Sequence, residues 1–423
     1  MLAAAARRSG VRVPLKRSFA TATDVAGLKV ATLNNGQPTA SISLIVKAGS
    51  RFESKPGVAH ALKNFAFKNT SDKSSLRIVR EAELFGGVLS STLGREHLAL
   101  TAEFLPGDEA YFAELLSSLA TSTKFTTHEL NESVTSAVHA ESLAALSSPA
   151  AHAVELAHTI AFRRGLGRPL FASPHSSITA EDVKSFAATA FSQGNIAVLG
   201  TGIDGNVLTK LVEKYFTGLA SSTTSSASAS QYFGGETRID APGAPTIFIG
   251  YGTTSPAPTL AVLASLLDPT PSLKWTTGTS PLAALPEGAT AQVVHLPYTD
   301  AALFGVVVQA QTVDGVKEAG KAVVQALKNV ASGSVKDEEV KKAIAKAKFA
   351  AASTIESRDG LLTAFAPQLL ANTGTTLDAL FTSFDKVSAS AFSQATSELI
   401  KSKPTYVSIG EAHSMPFADE LGL

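Results

Sequence analysis

Three residues of one short stretch have the types and spacing to do chemistry together. In Pro56-Gly57-Val58-Ala59-His60-Ala61-Leu62-Lys63-Asn64-Phe65-Ala66-Phe67-Lys68-Asn69-Thr70, His60, Lys63 and Asn64 stand at i, i+3 and i+4. On a helix that spacing puts them on one face. A hydrolytic zinc site wants two imidazoles at i and i+4, with a carboxylate base beside the metal-bound water. Here the first position is His, the base position is Lys and the second imidazole position is Asn. An amide oxygen suits hard cations better than zinc. A charged ammonium is repelled by a dication and cannot take a proton from metal-bound water. The stretch has the frame of a metal helix without the groups to run one.

The elements that must position these residues follow from the same stretch. Pro56 sits where a helix can start without wasting a backbone donor. Ala59, Leu62, Ala66 and Phe67 recur at helical spacing and can face a core. Phe65 and Phe67 therefore read as packing rather than as a substrate pocket. Other histidines offer no second ligand set. His152 and His158 are six apart and do not share a helix face, and His97, His128 and His139 lack a partner at productive spacing. Each reads as a surface or partly buried polar residue. The charged run Lys336–Lys348 reads as a solvated helix face.

The motif stretch resembles the inverted zinc motif His-x-x-Glu-His of the pitrilysin-type (M16) peptidases. That family includes the mitochondrial processing peptidase and the core proteins of the cytochrome bc1 complex. Ala48-Gly49-Ser50-Arg51-Phe52-Glu53 is similar to the family's segment ahead of the motif, and Ala66-Phe67-Lys68-Asn69-Thr70 to the segment behind it. Residues 65–140 separate Asn64 from Glu141, the spacing at which the family carries its third zinc ligand, a Glu. The resemblance implies that His60, Lys63, Asn64 and Glu141 are vestigial motif positions, with no catalytic residue, no metal and no cofactor. A carboxylate turned into such a cluster needs a cation in place of the metal. Lys63, with His60 beside it, is expected near Glu141 in that role; His60 itself reads as a residue that hydrogen-bonds within the fold.

Composition sets the bounds. With 423 residues, 44% of them hydrophobic, the chain can build a large core and more than one domain. The 36 basic and 36 acidic residues cancel, which gives no case for nucleic acid. Cysteine is absent, so disulfides and a conventional iron–sulfur site are excluded. No apolar run is long enough for a membrane span.

Residues 1–19 do not read as fold. Arg7, Arg8, Arg12, Lys16 and Arg17 alternate with Ala, Leu and Val, and no acid precedes Asp24. A basic, acid-poor, amphipathic leader of this kind addresses a mitochondrion. Arg17-Ser18-Phe19-Ala20 resembles a common cleavage pattern and places the cut between Phe19 and Ala20.

Beyond the leader, Leu28–Leu33 and Ala40–Lys47 read as strands joined by a hairpin-like turn at Asn34-Asn35-Gly36. Ser74–Leu84 reads as a helix stopped by Gly86-Gly87, with strands at Val88–Leu93 and His97–Leu105. Two long helices are expected over 108–121 and 127–146, the second carrying Glu141. Pro149 breaks the pattern before it resumes over 151–164. Thr179 caps a further helix, Ile196–Gly200 is a buried-type strand, and Asp204–Phe216 is helical. Ser221–Ser230 holds only Ser, Thr and Ala and reads as a linker. The second half repeats the first: Val387-Ser388, a helix and Thr405–Gly410 parallel Ile178-Thr179, a helix and Ile196–Gly200.

The resemblance thus implies an α+β fold of two homologous halves, each a mixed β-sheet with helices packed on one side, as in LuxS/MPP-like metallohydrolases. The expected division is a leader over 1–19, a peptidase-like domain over 20–220, a linker over 221–231 and a second domain over 232–423. Within the family, the processing-peptidase alpha subunit carries a long glycine-rich loop in its second half. Here Leu267–Leu282 holds one glycine and is similar to the core-protein pattern. That likeness implies a matrix-side, peripheral inner-membrane subunit paired with core protein 1 and other bc1 subunits in a dimeric complex. The alternative is a non-catalytic, presequence-binding subunit of the processing peptidase.

Overall fold

The computed structural model describes residues 23–25, 27–33, 37–221, 227–254, 257–271, 275, 278, 280–371 and 377–423. The expected cut between Phe19 and Ala20, the turn at Asn34-Asn35-Gly36 and residues 222–226 of the expected linker lie outside them.

The first half runs β1 (Thr23–Val25), β2 (Leu28–Leu33), β3 (Ala40–Val46), α1 (Val58–Asn64), α2 (Ser75–Leu84), β4 (Val88–Leu93), β5 (Leu98–Phe104), α3 (Glu109–Ser122), α4 (Thr127–Glu129), α5 (Thr135–Ser147), α6 (Pro149–Phe162), α7 (Ala180–Ala190), β6 (Ile196–Thr201) and α8 (Gly205–Tyr215). Its six strands take the order β1-β2-β6-β3-β5-β4. β6 pairs parallel with β2 and antiparallel with β3. The hairpin expected between β2 and β3 is therefore wrong. β6, buried at every position, lies between them. An apolar run such as Ile196–Leu199 satisfies both its faces only in the middle of a sheet, and it displaces the local pairing that the turn signal suggested.

The second half runs β7 (Gly235–Asp240), β8 (Thr246–Thr253), α9 (Pro258–Leu267), β9 (Ala289–Pro297), β10 (Ala302–Ala310), α10 (Val313–Ala331), α11 (Asp337–Glu356), α12 (Arg358–Ala371), α13 (Leu377–Asp385), α14 (Ala389–Lys401) and β11 (Thr405–Gly410). Its strand order is β7-β11-β8-β10-β9. β11 lies parallel to β7 and antiparallel to β8, as β6 does to β2 and β3. Thr405–Gly410 and Ile196–Gly200 thus occupy equivalent strands, and the repeat read from the sequence is a repeat in space. The caps repeat too. Thr179 Oγ1 accepts from Asp182 N at 3.2 Å, and Ser388 Oγ from Ala391 N at 3.2 Å.

Each half packs its own helices on one sheet face. Among the described residues, the other face is covered chiefly by one helix from the opposite half. α6 lies across the second sheet, where Ala153, Ala157, Ala161 and Phe162 pack on Phe248, Leu303, Val307, Val407 and Ile409. Alanines at i, i+4 and i+8 leave a smooth stripe that lets the helix approach the strands closely. α12 lies across the first sheet, where Leu361, Leu362 and Ala366 meet Ala31, Leu33, Ile45, Ala99, Ala197 and Leu199. His158, expected at the surface or partly buried, is fully buried in the first of these seams. Its Nδ1 lies 2.7 Å from Val154 O and its Nε2 2.7 Å from Tyr298 Oη. The carbonyl can only accept, so Nδ1 is the donor, and neutral Nε2 accepts from the tyrosine.

Candidate functional site

α1 is held at its start by Glu53. One carboxylate oxygen of that residue accepts from Gly57 N at 3.0 Å and from Ala59 N at 3.3 Å. Glu53 is buried and its other oxygen has no partner, so burial pushes its pKa up to about 7 despite those two bonds. Gly57 has φ +89°, and a Cβ there would fall 2.5 Å from the Cβ of Ala172. Only glycine allows both the turn and the close approach of the 171–172 segment.

That approach orients His60. Ala172 N donates to His60 Nδ1 at 3.1 Å, and Ser142 Oγ donates to Ala172 O at 2.8 Å. Phe171 meets the imidazole edge-on, with centroids 5.4 Å apart. Because Nδ1 accepts, the neutral ring carries its proton on Nε2. Nε2 lies 2.5 Å from Glu141 Oε2 and donates to it. Burial, opposed by Glu141, holds the His60 pKa below its ordinary value, in keeping with the neutral form.

Glu141 comes from the helix across the cluster. α4 and α5 are one continuous rod interrupted by a π-helical turn at Leu130–Val134, where Thr135 Oγ1 reaches back to Leu130 O at 2.8 Å. The extra residue in that turn rotates everything after it by roughly 100°. It thereby decides that Glu141 faces α1. There Lys63 Nζ donates to Oε1 at 2.6 Å, and Asn64 Nδ2 donates to Oε2 at 3.2 Å. Burial alone would raise the Glu141 pKa, but the bonds from Lys63, His60 and Asn64 outweigh it and bring it to about 2.

All four motif positions are therefore brought together, and the expected pairing of Lys63 with Glu141 is present. The group that the fold family would place here is zinc, and these residues do not fit it. His60 offers a proton where a ligand needs a lone pair. Asn64 turns its amide nitrogen toward Glu141, and the ammonium of Lys63 already holds Glu141 Oε1. Among the described residues, no group of three or more His, Cys, Asp or Glu is placed to hold a metal ion.

The flanking motif residues do a different job, which sequence reasoning did not assign. Arg51 donates to both oxygens of Asp300, at 2.7 Å each, and to Glu96 Oε1 at 2.7 Å. Thr299 N and Oγ1 also bond Glu96, at 3.1 and 2.6 Å. Arg95 reaches Glu155 at 2.6 Å and Leu166 O at 3.1 Å. Arg51 and Glu96, through Asp300 and Thr299, bolt the first half to the β9–β10 connection of the second, while Arg95 ties the β4–β5 turn to α6 within the first chain segment.

Residues 29–173 match the family model described as insulinase (peptidase family M16), and residues 177–347 match that of the peptidase M16 inactive domain. A protein of Cryptococcus neoformans named cytochrome b-c1 complex subunit 2, mitochondrial, is 46% identical over 97% of this chain and 96% of its own. This chain belongs to peptidase family M16. Proteins of the same name from Neurospora crassa and Homo sapiens are 38% and 28% identical to the M16 chain, covering 99% and 93% of it and 97% and 90% of their own lengths. The two matched spans meet near residue 175, ahead of β6, although β6 lies in the first sheet. In this M16 chain no helix among the described residues is long and apolar enough to cross a membrane.

Proposed function

We propose that this chain is a non-catalytic structural core subunit of the mitochondrial cytochrome b-c1 complex, in the role of a core protein 2. It supports assembly and stability of the complex that carries electrons from ubiquinol to cytochrome c, and holds no redox group itself. The observation that carries this reading is the Lys63–Glu141 pair. It puts a cation where the M16 family runs zinc chemistry. His60, Lys63, Asn64 and Glu141 are then vestigial positions kept for structure. The relatives named as complex subunits, matched nearly end to end, supply the assembly.

The leader 1–19 directs import and is cut between Phe19 and Ala20. The mature chain consists of the halves 20–220 and 232–423 joined by the linker 221–231. It sits on the matrix side of the inner membrane as a peripheral subunit, beside core protein 1, twice in a dimeric complex. Mild detergent extraction of the tagged chain tests this. Co-purification of haem-bearing subunits and core protein 1 supports the proposal. Recovery with a lone active peptidase subunit overturns it in favour of the processing-peptidase role.

A further inference from the structure

The two exchanged helices are not equivalent, and we infer that α12 is a releasable lid over the first sheet while α6 is a permanent part of the second. The observations are three. First, the surfaces differ. α6 covers large apolar side chains, among them Phe248, Leu303 and Val407, all fully buried. Buried polar groups occur on both faces, as where Gln309 donates to Thr246 at 3.0 Å on the sheet under α6. The apolar side chains under α12 are smaller, however, Ala31, Ala99 and Ala197 among them, and two hydroxyl pairs lie beside them. Ser41 pairs with Thr201 at 2.7 Å and Ser43 with Thr101 at 2.9 Å, both buried. Those hydroxyls satisfy one another within the sheet, so uncovering them exposes groups that water also solvates.

Second, the helices differ. α6 starts with Pro149 at a position where a missing donor costs nothing, and Ser148 Oγ caps it, accepting from Ala151 N at 3.4 Å. α12 has Pro367 in its interior, which removes a backbone bond from the helix itself. Third, the anchors differ. α6 is fastened from inside by buried His158, through Tyr298 of the other half. α12 is fastened at its start by Arg358, which bonds Glu103 and Thr39 on the first half, with the Glu103 side chain 36% exposed. A lid with less apolar contact, a broken ladder and an exposed anchor opens at lower free energy than the body it covers.

Amide hydrogen exchange on the full mature chain, followed by mass spectrometry across a series of low denaturant concentrations, tests this. The α12 amides should exchange at least about tenfold faster than those of α6, by an opening with little denaturant dependence. Pro367→Ala should slow exchange in α12 alone. The double variant Ser43→Val/Thr101→Val should do the same by making the covered face apolar. Exchange of α12 and α6 in one step, at the rate of global unfolding, would overturn the inference. So would both variants leaving α12 exchange unchanged while the chain stays folded.

Discussion

Lys63 Nζ lies 2.6 Å from Glu141 Oε1, so an ammonium occupies the place beside this carboxylate that a metal ion would need. The carboxylate is part-exposed, at 35% of its side-chain surface, and the three bonds it accepts outweigh its desolvation. Lys63→Glu should be destabilising, because it sets two carboxylates against each other with only His60 and Asn64 to soften them. The expected cost is on the order of 1–3 kcal/mol, after allowing for solvent screening at the exposed edge. Thermal unfolding reads it; a melting temperature equal to wild type would show that the ion pair does not support the fold.

Restoring ligands is a separate matter. Lys63→Glu/Asn64→His supplies the missing imidazole and carboxylate on α1, opposite Glu141. The double variant should retain zinc through desalting, whereas the parent chain should not. Metal analysis of both proteins decides. Zinc retained by the parent would refute the account of His60 as a donor through Nε2.

The inter-half bolt should be costlier to break. Arg51→Met leaves Glu96 and Asp300 facing one another without their shared cation. The Arg51 side chain is 4% exposed, so the loss should reach roughly 3–5 kcal/mol. Asp300→Asn, which keeps hydrogen-bonding capacity, should cost less. Urea unfolding of the two variants measures the difference.

Glu53 gives a pH dependence with a definite sign. The unfolded chain releases this proton near 4.5 and the fold only near 7. Between those values the folded state binds the extra proton, so this residue makes stability fall as pH rises, levelling off above about 7. Glu53→Gln keeps an acceptor for Gly57 N and Ala59 N but cannot ionise. The stability difference between Glu53→Gln and wild type should grow from pH 4.5 to 7 in favour of the variant. A constant difference across that range would mean that Glu53 keeps an ordinary carboxylate pKa in the fold.

Much of this molecule is legible along the chain, and the exceptions share a cause. The α1 face, the strands β4 and β5, the helix carrying Glu141 and the equivalence of β6 with β11 all follow from spacing and apolar pattern, which are local or repeated signals. The hairpin between β2 and β3 failed because β6, more than 150 residues later, competes for the same edges. The exchange of α6 and α12 is invisible for the same reason. A helix shows that it has an apolar stripe, not which sheet the stripe lies on. Arg51 reads as part of a motif flank, and nothing in the one-dimensional order points to Asp300 as its partner, to Thr299 as that of Glu96, or to Glu155 as that of Arg95. The π-helical turn at Leu130–Val134 left no clear mark in composition, yet it aims Glu141.

The cluster around Glu141 also constrains how this chain could change over generations. Lys63→Glu alone places like charges together; Asn64→His alone brings a second imidazole beside an ammonium and removes one of the bonds to Glu141. Each single step toward a metal centre is uphill, and only the pair of changes, with zinc present, offers a recompense. Once the lysine had settled on the carboxylate, selection acting on stability alone would keep closing the way back to hydrolysis.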